Sequence, residues 1–265
     1  MKIKKYIAGS TLLLAVLACA GQPVPSAIDP NTIPTIVVLT ANAAMTQTAV
    51  VASSMPAETA TPSLEGTTLE QLPNGGTKYT NNQMGFDITF PAGWLTLRPN
   101  SDEFGSALVN EAVKNDLLRA QMELDLADYE AGVDMLYSYP LLPDIEKNFA
   151  FGFSKLKWDE DDSVPIDDQT MGEMVRFVES SVSGFRADTV QTYENANHVK
   201  LVEIGGQFSI SNDQGDVIPF YMTYFLFKPT SGTSALMTFT YLKDYKTTIA
   251  PDVMSAINSI KLLGQ

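Results

Sequence analysis

Few side chains in this sequence have the type and spacing for chemistry. His198 is the only histidine. A Ser-His-Asp triad would have to use it, yet no Gly-x-Ser-x-Gly elbow presents a serine, and the residues around His198 read as a turn or strand edge. Ser154-Lys155-Leu156-Lys157 has the Ser-x-x-Lys spacing that sets a lysine beside a nucleophilic serine. It falls in a run that reads as a strand, and no Ser-Asp-Asn or Lys-Thr-Gly set follows. Tyr224 and Lys228 stand at Tyr-x-x-x-Lys spacing without a glycine-rich nucleotide loop. The acidic run Asp159-Glu160-Asp161-Asp162 offers hard oxygen ligands, and Asp159, Asp161 and Asp162 are the candidate calcium ligands. A twelve-residue calcium loop starting at Asp159 needs glycine sixth and glutamate twelfth, where Val164 and Thr170 stand. A looser calcium site or a solvated acidic loop remains. One histidine and one cysteine exclude a zinc site of nitrogen and sulfur ligands. No catalytic set and no cofactor are expected.

The single cysteine, Cys19, is the better-placed residue. Lys2, Lys4 and Lys5 open the chain, and an apolar stretch runs from Tyr6 to Ala18 with Leu12, Leu13 and Leu14 at its centre. That length suits the apolar region of an export signal and is too short for a membrane span of roughly 20 residues. Val16-Leu17-Ala18-Cys19 resembles a bacterial lipobox, with Leu17 bulkier than usual. Cleavage before Cys19 would free its amino group and leave its thiol to carry diacylglycerol. The alternative, an ordinary secretory signal, leaves an unpaired thiol in an oxidising compartment. The expectation is a protein lipidated at Cys19 and held on the extracytoplasmic side of a cell membrane or envelope, with the membrane as its first partner.

The chain has 31 acidic and 17 basic residues, net −14, and losing Lys2, Lys4 and Lys5 with the leader deepens this to −17. Such a surface repels phosphate backbones and anionic headgroups, so nucleic acid is not an expected partner. At 45% apolar residues the chain still builds a core.

Three regions follow. Residues 1–18 are the leader. Residues 19–75 are rich in Pro, Thr, Ala and Ser, contain no Lys or Arg, and read as a disordered stalk. Within it, Thr35 to Met55 is uncharged, but Thr40, Asn42, Thr46, Gln47 and Thr48 make it too polar for a membrane-spanning helix. Residues 76–265 form the folded domain. Phe86, Ile88 and Phe90 alternate with Asp87 and Thr89 as a half-buried strand. Residues 101–131 read as helix from Leu118, Met122, Leu126 and Tyr129, and Asn148 to Trp158 as a strand. Thr170 and Glu173 form a capping box ahead of the apolar stripe Met171, Met174, Val175, Val178 and Val182. Strands follow at Val199 to Ile204, Ile218 to Phe227 and Ala235 to Leu242. The middle one is apolar on both faces and should be central. A last helix opens at Pro251, with Val253, Ile257 and Ile260 inward. The class is α+β, a mainly antiparallel sheet flanked by helices.

Tyr79-Thr80-Asn81 leading into Gly85-Phe86-Asp87-Ile88-Thr89-Phe90-Pro91-Ala92-Gly93-Trp94 resembles the opening of PsbP/DcrB-like domains. The helix at Thr170 and the segment from Asp252 to Lys261 also look like this group. The resemblance covers residues 76–265 and implies an α/β/α sandwich, with residues 101–143 as a helical insertion. It carries over no catalytic residues, and it implies binding or assembly. The expected function is therefore a non-enzymatic binding or assembly module with a protein partner at the envelope. The alternative is a lipoprotein that takes a small ligand or lipid into an apolar pocket.

Overall fold

The computed structural model describes residues 66–109, 113, 116–141, 152–159, 165–211 and 215–264. The leader, Cys19 and most of the expected stalk lie outside the described residues. The domain nevertheless starts earlier than its apolar patterning implies. β1 (Thr67–Gln71) pairs antiparallel with β2 (Thr77–Asn81), so the boundary expected near Gly76 falls inside a hairpin. The missed strand, TTLEQ, has one apolar residue, Leu69, and no alternation to betray it. Leu72-Pro73-Asn74-Gly75-Gly76 turns the hairpin, with Gly75 at φ 84°, a conformation that favours glycine.

β3 (Phe86–Phe90) and β4 (Trp94–Leu97) follow, then helices α1 (Asp102–Val109) and α2 (Asp116–Ala127). One helix was expected over residues 101–131. Two form, and only part of the expected apolar row faces inward: Leu118 and Met122 are buried, while Leu126 is exposed. The inward position one turn after Met122 is taken instead by a charged residue, Asp125, which is 1% exposed. β5 (Asp134–Pro140) and β6 (Gly152–Asp159) lead to α3 (Asp168–Ser181). The cap of α3 is Asp167, whose carboxylate accepts the Thr170 N–H at 2.9 Å. Thr170 is thus three residues inside the helix and caps nothing, because Asp167 already holds the extended cap conformation. The stripe expected on α3 does pack inward around the buried Val178.

The chain ends with β7 (Arg186–Glu194), β8 (Lys200–Ser211), β9 (Val217–Phe227), β10 (Ser234–Leu242), α4 (Lys246–Ser259) and β11 (Lys261–Leu262). Pro251 does not start α4. It is the sixth helical residue and leaves the Thr247 carbonyl without its helical donor. Ile249, 1% exposed, packs in the core and draws the helix one turn earlier.

Two antiparallel sheets result. One runs β1-β2-β3-β11, the other β4-β5-β6-β10-β9-β8-β7. β9 is interior and apolar on both faces, as its sequence requires. Cross-strand registers sort the faces of the seven-stranded sheet. Leu136, Leu156, Met237 and Phe225 stand in one row. They meet Phe86, Ile88 and Phe90 of the smaller sheet and Ile249, Val253 and Ile257 of α4. Tyr137, Lys155, Thr238, Tyr224 and Ile204 stand in the opposite row. There α1 and α2 cover the β4–β5 end and α3 covers the β8–β9 end. The fold is α+β, two antiparallel sheets flanked by four helices among the described residues.

Candidate functional site

A cleft of 380 Å³ opens where the two sheets meet, lined by β1, β2 and β4 and by Arg98 and Glu103. Its walls are the two outermost strands of different sheets, β1 and β4. Leu69 and Gln71 come from β1, Thr77 from β2, and all four residues of β4 contribute. The far end is closed by a fork. Arg98 Nε donates to Glu103 Oε1 at 2.6 Å and Nη2 to Oε2 at 2.8 Å. Its Nη1 donates to the Thr67 carbonyl at 3.2 Å, so one guanidinium joins β1 to α1. Ser101 makes this possible: its hydroxyl accepts the Phe104 N–H at 3.2 Å, starting α1 where Glu103 meets Arg98. The hydrogen bonds between the two hold Glu103 below its ordinary carboxyl range and raise Arg98 further.

At the near end Gln71 Nε2 donates to the Gly75 and Gly76 carbonyls at 2.9 and 3.0 Å, and its Oε1 accepts from the Thr77 hydroxyl at 3.3 Å. Trp94 Nε1 donates to Asp252 at 3.0 Å, fixing the indole that begins β4. The side-chain polar groups of the cleft are thus engaged in building it.

Two other charged clusters are closed on themselves. Asp125 accepts from Gln121 at 2.6 Å and Tyr139 at 2.8 Å, and it pairs with Lys155 at 2.8 Å. Burial pushes its carboxyl upward, against the pull of Lys155 and the two hydrogen bonds. Tyr139 is driven far above the usual phenol range by burial and by Asp125. Across the molecule, Asp188 accepts from Tyr221 at 2.7 Å, and the Lys246 ammonium sits 3.6 Å from the Tyr221 ring centre. Burial works against the charged form of Asp188, and the Tyr221, Gln207 and Thr189 hydrogen bonds outweigh it, leaving the carboxyl below its usual range. Tyr221 is pushed up to about 12, first by burial and then by Asp188.

The residues singled out in the sequence fall elsewhere. Asp159 ends β6, while Asp161 and Asp162, like Cys19, lie outside the described residues. Among the described residues no group of three or more His, Cys, Asp or Glu is placed to hold a metal ion. Ser154 and Lys157 sit on β6 at odd spacing and face opposite sides of the sheet. His198 is exposed, at φ 60° in the β7–β8 turn, with Glu194 3.6 Å away. The cleft was missed entirely; the only local signal for it was the Arg98-to-Glu103 spacing around a helix-capping serine.

No family model matches the chain, and no curated protein sequence matches it. Among solved structures it is similar to cyanobacterial PsbP from Synechocystis (12% identity over 71% of this chain and 93% of that one, TM-score 0.41). It is also similar to LpqN of Mycobacterium tuberculosis, described as involved in cell envelope biogenesis (12%, 74% and 90%, TM-score 0.39). A third similar structure is the Ran-binding protein Mog1p of Saccharomyces cerevisiae (9%, 74% and 95%, TM-score 0.39). These similarities concern the fold and give no residue of this chain a role.

Proposed function

We propose that this chain is a membrane-tethered, extracytoplasmic binding module, anchored by lipid on Cys19 and engaging its partner through the cleft between β1 and β4, with no chemistry of its own. The cleft carries the reading. It is a recess large enough for part of a ligand, it is walled by apolar and uncharged side chains, and its one charged pair is neutralised internally. The Val16-Leu17-Ala18-Cys19 sequence supports the anchor. The mixed lining favours a protein partner over the apolar pocket that a free lipid would need. Among the described residues no helix is long and apolar enough to cross a membrane.

One experiment addresses both parts. A photo-crosslinking amino acid replaces Leu69 in the full-length chain, expressed in a cell that processes lipoproteins. The chain is expected in the membrane fraction, with a discrete crosslinked species that is missing when the probe replaces the exposed Phe177 on α3 instead. Cys19→Ser is expected to move the chain to the aqueous fraction. Membrane retention of that variant overturns the anchor, and the same crosslinks from both probe positions, or none from Leu69, overturn the cleft.

A further inference from the structure

The main chain of the cleft is more informative than its side chains. The Leu141 N–H donates to the Gly93 carbonyl at 2.7 Å, which makes Gly93 and Leu141 a hydrogen-bonded pair of the β4–β5 ladder. Antiparallel pairs alternate, so Leu95 and Leu97 are also hydrogen-bonded to β5, and the N–H and C=O groups of Trp94 and Thr96 point the other way. Among the described residues no strand pairs with β4 on that side. The same phase can be read on β1. Asn82 N–H donates to the Gly66 carbonyl at 2.8 Å and Leu72 N–H to the Gly76 carbonyl at 2.8 Å. The groups of Thr67, Leu69 and Gln71 therefore point away from β2. The Thr67 carbonyl confirms the direction, since it is the one that Arg98 reaches. The open edge of β4 and the outer edge of β1, whose Thr67 carbonyl is already taken by Arg98, thus border one cleft.

The edges are not equally guarded. β7, the far edge of the seven-stranded sheet, has a bulge at Asp188 and the charges Arg186, Asp188 and Glu194, features that discourage pairing. β4 (Trp-Leu-Thr-Leu) has no charge, no proline and no register shift. Its outward groups repeat with the two-residue period of an extended backbone, and only another polypeptide in that conformation matches such a row of donors and acceptors.

We infer that the cleft takes a short extended segment of a partner polypeptide, added as a strand to the open edge of β4, with its side chains alternately against Leu69 and Trp94 on one face and Leu95 and Leu97 on the other. This rests on the cleft being the binding surface and names what binds there. Because β4 is four residues long, the engaged segment is of similar length.

The test selects peptides from a phage-displayed random library on the full-length chain and measures their affinity by fluorescence anisotropy. Selected peptides are then N-methylated at alternate amides in each of the two phases. Methylation in at least one phase is expected to weaken binding about tenfold or more. Thr96→Pro removes the outward N–H while sparing the Leu95 and Leu97 bonds to β5, and it is expected to weaken every peptide similarly. Thr96→Val, which keeps that N–H, is expected to weaken the peptides far less than Thr96→Pro does. Tolerance of methylation in both phases overturns the inference and still holds if Thr96→Pro fails to fold. A selection that yields no peptide also overturns it, as does self-association of the chain that Thr96→Pro abolishes. Crosslinking from Leu69 with both methylation phases tolerated removes the strand and leaves a binding cleft; no crosslinking removes the cleft as well.

Discussion

Asn195 does more for this fold than any residue its sequence draws attention to. It is 4% exposed and uses its whole hydrogen-bonding capacity. Its amide nitrogen donates to the Ile257 and Ile260 carbonyls at 3.0 and 2.9 Å, closing the C-terminal end of α4. Its oxygen accepts from the Asn197 and Val199 N–H groups at 2.9 and 3.0 Å, shaping the β7–β8 turn. Asn195→Ala removes four hydrogen bonds and leaves the buried Val199 N–H without its acceptor, and it should cost about 2–3 kcal/mol in chemical denaturation. A loss below about 1 kcal/mol would mean that water replaces the amide. The Arg98–Glu103 fork is more exposed and worth less, about 0.5–1 kcal/mol. Its sign with pH is definite. The Glu103 carboxyl is held below its ordinary 4.5, so the fork's contribution is present above that pH and is lost as pH falls through the lowered value. Glu103→Gln should therefore melt lower than the parent at neutral pH and converge with it in acid. A gap that persists deep into acid would show that the fork acts by packing alone.

Among the elements, α2 has the least ordinary attachment. It docks through Leu118 and Met122, but its third inward position is Asp125, paired with Lys155 of β6 and hydrogen-bonded to Tyr139 of β5. Lys155→Met should destabilise the domain by about 3 kcal/mol, because it leaves a carboxylate buried without its cation. Adding Asp125→Leu should recover most of that loss by making the contact apolar on both sides. No recovery would mean that the Gln121 and Tyr139 hydrogen bonds, and not the ion pair, hold α2. Such a helix is hard to read from sequence. Asp125 breaks the apolar row at the position where the row would have been diagnostic, and the partner that makes its burial tolerable is thirty residues away. α3 and β9 were legible for the opposite reason: the stripe ending at Val182 and the two apolar faces from Ile218 to Phe227 are local patterns that burial enforces.

For the molecule as a whole, the layers were legible and their number was not. A sheet covered by helices follows from the alternation of strand and helix patterns. Its division into two sheets depends on where β3 stops at Phe90 and β4 begins at Trp94, a turn of three residues with no signature of a change of sheet. The cleft shares that origin. It lies between two edge strands, and whether a strand lies at an edge is decided by topology, which no side-chain pattern records. Composition misled at the domain boundary for a related reason. β1 is held by its ladder to β2 and by Arg98, neither of which requires apolar residues.

The position of β1 also has a mechanical consequence. A pull along the chain ahead of Gly66 arrives at the open end of the β1–β2 hairpin, where Gly66 accepts from Asn82 and Thr67 from Arg98. The component of such a load that acts across the strands is not shared along the ladder. It peels β1 one bond at a time, and the Arg98 contact is among the first to be stressed. The strand that first receives tension is also a wall of the cleft, so traction on the N-terminal segment moves the wall that Leu69 and Gln71 form.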